Sequence, residues 1–205
     1  MELRPGLSDE ILSFWFGDAA SYDRESSILE RINNVWFAGS EDVDNELSGR
    51  FKGDLESVTE ETLRNLAGTE EKLAVIVLLD QYSRNIYRDT PKAFGQDHLA
   101  LTLAKAMIRA NEDKDLEPIQ RVFVYFPLEH SEDEDDQELS VRKFEDLYEE
   151  VGADLKKVYK GFLDYAIRHK VIIDRFGRFP HRNEILGRAS TSEELEFLKQ
   201  PGSSF

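Results

Sequence analysis

The sequence predicts an all-α fold of about nine helices packed as stacked antiparallel pairs. Three observations carry this. Helix-starting signals recur along the chain, apolar residues between them fall at three- and four-residue spacing, and no segment reads as a β-strand with a hairpin turn. Ser8, with Asp9 and Glu10, opens a short helix carrying Leu12, Trp15 and Phe16. A second, over residues 22 to 37, presents Ile28, Ile32, Val35 and Trp36. Ser40 and two acids open a third with Val43, Leu47, Phe51 and Leu55. Thr69, Glu70 and Glu71 open a fourth containing "LAVIVLL", residues 73 to 79. A helix that is apolar all round belongs at the centre of the core. A buried parallel strand is the competing assignment for this run, and the cap before it and the polar helical continuation after it favour helix.

Thr90-Pro91 starts the fifth helix, which runs to about residue 110 through Leu99, Leu103 and Met107. Glu117-Pro118 starts a sixth that Pro127 breaks or kinks. The seventh, 133 to 150, aligns Val141, Phe144, Leu147 and Tyr148. The eighth, 154 to 176, aligns Leu155, Val158, Phe162, Ala166, His169 and Ile173, and Gly177 ends it. Pro180 begins one further turn. Thr191 and Glu194 make a capping box for a last short helix. Connections are short and no low-complexity linker interrupts them, so residues 1 to 205 are expected to form a single domain. No repeat of about 34 residues is visible.

The chain has 205 residues, a formal net charge of −16 and no cysteine. Disulfides, thiolate metal sites and a cysteine nucleophile are thereby excluded. A surface this acidic repels phosphate backbones and anionic lipid, so neither nucleic acid nor membrane is an expected partner. With no apolar leader and no run near 20 apolar residues, the expectation is a cytoplasmic protein.

Charge is unevenly distributed. Residues 129 to 150 carry eleven acids against Arg142 and Lys143, and residues 168 to 188 carry six bases against Asp174 and Glu184. The two segments are expected to face each other, with 129 to 136 lying against 175 to 182. Three stretches supply the candidate site. In "DQYSRNIYR", Asp80, Arg84 and Arg88 stand four apart on one helical face with Gln81 beside them. In "DRFGRFPHRN", Phe176 and Phe179 are expected to anchor a corner bearing Arg178, His181 and Arg182, where guanidinium forks suit carboxylate or phosphate. In "PLEHSED", Glu129, His130 and Glu132 crowd together, and a histidine beside a carboxylate is an acid/base candidate. The structural alternatives are an Asp80–Arg84 pair capping a buried helix, internal neutralisation of the basic corner, and acids decorating a helix start. His169, on an apolar stripe, reads as a hydrogen-bonded core residue. The Glu/His cluster could alternatively bind a metal, but spacing gives no zinc or di-iron motif and no phosphate loop or dinucleotide fingerprint, so neither metal nor cofactor is predicted.

"ILSFWFG", "LLDQYSRNIYR", "FVYFPLEHSED", "RFGRFPHRN" with "ILGR", and "FLKQPGSSF" together resemble the family catalogued as domain of unknown function 924. The resemblance implies an α-α superhelix of the tetratricopeptide-like kind. It carries no activity and no catalytic residues.

The leading functional expectation is a binding protein that recognises a protein or peptide partner, or a small anionic ligand, in a polar groove lined by Asp80, Gln81, Arg84, Arg88, Glu129, His130, Glu132, Arg178, His181 and Arg182. Arg84 and Arg178 are expected to share one anion. The alternative is a small hydrolase-type enzyme using His130 with Glu129, and a third is a structural domain whose polar centre is filled internally.

Overall fold

The computed structural model describes residues 3–17 and 24–204, and every regular element among them is helical. In chain order these are α1 (Leu7–Phe16), α2 (Glu25–Arg31), α3 (Glu41–Ser57), α4 (Glu60–Asn65), α5 (Thr69–Ile76), α6 (Ser83–Ile86), α7 (Asp97–Ala110), α8 (Pro118–Glu129), α9 (Glu134–Glu150), α10 (Lys156–Phe176) and α11 (Ser192–Phe197). The expected start of the second helix at residues 22 and 23, and Phe205 of the last motif, lie outside the described residues.

The apolar run of α5 is helical and central. Every residue from Leu73 to Tyr82 is buried, and α5 packs against α1, α7 and α8. A run with no polar face can be accommodated only by neighbours on all sides, which is why the other helices gather around it. Aromatic side chains close one end. Trp15, Phe16 and Trp36 meet Phe123 edge-on at 5.7, 5.2 and 4.8 Å, and the Trp36 indole donates to the Trp15 carbonyl at 2.8 Å. That hydrogen bond lets a polar N–H enter the core without loss.

Five details depart from the sequence reading. α5 does not run on regularly into α6, because residues Val77–Tyr82 form a π-turn whose wider winding inserts an extra residue. A second π-turn, Ile32–Trp36, prolongs α2. The Thr90-Pro91 signal starts only a 3-10 turn, Pro91–Phe94, and α7 begins afresh at Asp97. Pro127 does not break α8. It donates no N–H to the Phe123 carbonyl, yet the helix continues to Glu129 and the His130 amide bonds the Phe126 carbonyl at 2.9 Å. A proline in the last turn forfeits a single bond, and close packing on both sides retains the winding. The short α4, with a reciprocal Thr59–Thr62 capping box, was not anticipated.

α9 and α10 form a helical hairpin, and α10 stops at Gly177, whose φ of +65° is the left-handed conformation that favours glycine. Phe179 is completely buried beside Ile172 and Ile173 and meets the His169 ring edge-on at 5.5 Å. Phe176 anchors less than expected. It is half-buried, 5.0 Å from the Phe197 ring of α11. Of the two phenylalanines, Phe179 is therefore the one that anchors the corner. Phe179→Ala is expected to cost roughly 3–5 kcal/mol, read as a lower denaturation midpoint at unchanged m-value. An unchanged midpoint would show that the corner is held by something else.

Candidate functional site

Several parts of the chain converge on one polar centre. The π-turn between α5 and α6 brings in Asp80. Its carboxylate is fully buried, 2.8 Å from His130 Nδ1 at the end of α8 and 3.2 Å from Arg84 Nη1, and it accepts from Gln81 Nε2 at 2.6 Å. Burial opposes ionisation, but Arg84, His130 and Gln81 outweigh it and hold the carboxyl well below the usual range. Arg84 also bonds the Asp80 carbonyl at 2.6 Å and forks onto both oxygens of Asp97, at the start of α7, at 3.0 and 3.1 Å.

Beside this lie Glu129 and His169. His169 Nδ1 stands 2.9 Å from the Tyr165 carbonyl and 3.0 Å from Glu129 Oε1. A carbonyl oxygen only accepts, so Nδ1 carries the hydrogen and shares it between the two oxygens. Burial pushes His169 down to about 2, and burial with repulsion from Asp80 pushes Glu129 well up. Both shifts favour the uncharged form of the group concerned. His130 is also lowered, by burial and by Arg84, against the pull of Asp80.

The corner after α10 completes the wall. The Arg182 guanidinium lies between two rings, 4.8 Å from the centre of Phe94 and 4.4 Å from that of Phe179, and its Nη1 donates to the His130 carbonyl at 3.0 Å. Burial and the nearby Arg84 lower it to about 10, with Asp97 opposing at 3.8 Å. Glu132 accepts from the Phe179 amide at 2.8 Å and takes both arms of Arg188 at 2.6 and 2.9 Å. A cleft of about 390 Å³ opens onto Asp97, His130, Glu132 and Arg182, with apolar walls from Pro91, Phe94, Leu101 and Leu186.

The acidic segment thus meets the basic one through His130 and Glu132, as expected. The acids beyond Glu132 do not join it. Asp133 caps α9, and Asp136 pairs with Lys105 and accepts from Ser131.

Other expectations are corrected. Arg178 does not share a site with Arg84. It forks onto Glu194 of α11 at 2.7 and 2.8 Å and does not line the cleft. Arg88 pairs with Asp44 of α3 at 2.6 Å. The hydrogen-bonded partner of His130 is Asp80, not Glu129. Gln81 sits behind Asp80, buried. His169 is the hydrogen-bonded core residue that was expected, whereas three contributors were missed: Asp97, Phe94 and Arg188. Only Arg188, within "ILGR", lay in a stretch already singled out. Among the described residues, Glu129, His130 and His169 also bring one donor atom each within 4.8 Å of one another. Motif spacing did not suggest that grouping, because the third member comes from another helix.

The family model described as "Bacterial protein of unknown function (DUF924)" matches residues 11–202. The chain belongs to this family. The DUF924 chain is also similar to a solved structure, that of the protein of unknown function ATU0120 from Agrobacterium tumefaciens, with 33% identity and a TM-score of 0.75 over 95% of this chain and 97% of that one. No curated protein matches. No described helix of this DUF924 member is long and apolar enough to cross a membrane.

Half-buried His181 sets a pH dependence. His181 lies 5.6 Å from the Phe179 ring, and burial with the adjacent Arg182 lowers it to about 4. Between its unfolded value of about 6.5 and that folded value, the unfolded chain binds a proton that the folded chain does not, so stability falls as pH drops through this window. The difference in unfolding free energy between wild type and His181→Phe should therefore shrink as pH is lowered from about 6.5 to about 4, with a slope of up to about one proton. A difference that stays constant over this range in urea titrations would refute the assignment.

Proposed function

We propose that this protein binds a small anionic molecule, a carboxylate or phosphate, in the cleft, with Arg182 as the anchor. The observation that carries the reading is the state of that guanidinium. It is buried and clamped between Phe94 and Phe179, it lines the cleft, and its Nε has no hydrogen-bond partner among the described residues. Its nearest carboxylates are committed elsewhere, Asp97 to Arg84 and Glu132 to Arg188. A planar fork held rigid and short of counter-charge favours a planar or tetrahedral oxyanion. Proline, leucine and phenylalanine side chains around it offer apolar surface to the rest of a ligand. The volume suits a small molecule better than a long peptide.

A second reading rests on a different contact. Asp80 at 2.8 Å from His130 Nδ1 orients the imidazole and leaves Nε2 with its lone pair, the arrangement of a general base in hydrolysis. Asp80, not Glu129, then partners His130.

Thermal shift with inorganic phosphate and small dicarboxylates tests the anion reading. A bound anion at a hundredfold excess over Kd stabilises the fold by about 2.7 kcal/mol. Arg182→Met should abolish the rise in Tm, and Arg178→Met, at the same corner but paired with Glu194, should retain it. A rise that survives Arg182→Met, or none with any anion, would defeat the proposal.

A further inference from the structure

The acceptors that share the cleft with Arg182 specify the rest of a ligand. His130 is the first. Its Nδ1 stands 2.8 Å from the buried Asp80 carboxylate, which only accepts, so the ring hydrogen is on Nδ1 and the lone pair of the neutral imidazole is on Nε2. Nε2 takes no hydrogen bond among the described residues and is not one of the sealed polar atoms left without a partner, and His130 lines the cleft. It is an open acceptor for an N–H or O–H. It also adjoins the anchor, since Arg182 Nη1 donates to the backbone carbonyl of the same residue at 3.0 Å.

Two carboxylates on the cleft wall are the second observation. Asp97 and Glu132 are both partly exposed there. A carboxylate offers about four acceptor positions. Arg84 fills two of those on Asp97, and Arg188 with the Phe179 amide fills three of those on Glu132, so each can accept again. Charge around the cleft is also balanced, because Arg84, Arg182 and Arg188 are matched in number by Asp80, Asp97 and Glu132. A purely anionic ligand would satisfy Arg182 while meeting repulsion from Asp97 and Glu132. A ligand that carries a positive donor beside its anion satisfies both.

We propose that the ligand is a zwitterionic α-amino acid with an apolar side chain. Its carboxylate pairs with Arg182, the anchor of the anion reading on which this assignment rests. Its ammonium donates to His130 Nε2 and lies toward Asp97 and Glu132. Its side chain packs on Phe94, Leu101, Pro127 and Leu186, the apolar part of the wall.

The test is calorimetric titration with L-leucine and L-phenylalanine beside their deamino analogues, 4-methylpentanoate and 3-phenylpropanoate, and beside 3-methylbutylamine, which lacks the carboxylate. At least one of the two amino acids is expected to bind once per chain, about 10- to 100-fold more tightly than its deamino analogue, the worth of one hydrogen bond to a charged group. The amine should not bind. Arg182→Met should abolish amino-acid binding, and Arg178→Met, paired with Glu194, should retain it. His130→Asn should bring the amino acid down to the affinity of its deamino analogue, because the asparagine amide can donate to Asp80 from the place of Nδ1 but offers no acceptor in the place of Nε2. Amino acids that bind no tighter than their deamino analogues, an advantage that persists in folded His130→Asn protein, or binding that survives Arg182→Met would overturn the assignment. Phosphate or a simple carboxylate that binds through Arg182 when neither amino acid does would also overturn it, while leaving the anion site standing. No binding by any of these ligands or by phosphate would remove both.

Discussion

The structure depends on how one buried negative charge is compensated. Asp80 lies within the most apolar stretch of the chain, with no exposure to water. A carboxylate there is unstable unless opposite charge and hydrogen bonds surround it. Arg84, His130 and Gln81 supply these, and each creates a further demand. Arg84 needs a second carboxylate and finds it in Asp97. Asp80 holds the His130 imidazole, the His130 backbone carbonyl accepts from Arg182, and Arg182 is retained between Phe94 and Phe179. The polar centre is therefore a chain of compensations running outward from Asp80 to the cleft. It links the π-turn, α6, α7, α8 and the corner after α10.

A π-turn at this point has a physical rationale. Regular α-helical winding would carry a single stripe past α8. The inserted residue rotates the next turn of helix, so that Asp80, Gln81 and Tyr82 are all buried in succession and take three different partners. Tyr82 donates to the Ile11 carbonyl at 3.1 Å and meets Trp15 edge-on at 5.3 Å. The same short segment thus serves the aromatic core on one side and the ion cluster on the other.

Much of the fold was legible because helix ends announce themselves chemically. Ser40, the Thr191–Glu194 box and Gly177 all do what their types suggest. Signals that depend on surroundings were not legible. Pro127 sits in a helix that packing sustains, and no residue type marks a π-turn. The site was read at the level of stretches and misread at the level of partners. Glu129 and His130 are adjacent in sequence but lie about 100° apart around a helix, so one turns to His169 and the other to Asp80. Arg178 and Arg182 share a corner, yet a four-residue step across a proline sends them to different partners. Spacing from an aspartate suggested Arg178, whereas aromatic rings selected Arg182.

The sandwich of Arg182 between two phenylalanines also bears on the order of assembly. Phe94 belongs to a short turn after α6, whereas Phe179 and Arg182 follow α10, more than eighty residues later in the chain. During synthesis the N-terminal segments emerge first. Asp80, Arg84, Asp97 and His130 can therefore come together before Arg182 has left the ribosome, and until the corner docks Phe94 has only the Arg84 guanidinium, 5.7 Å from its ring centre. Seating of Phe179 is the event that finishes the wall of the cleft. The last apolar contact of the cleft wall and the last charge of the polar centre therefore arrive together, with the corner that follows α10.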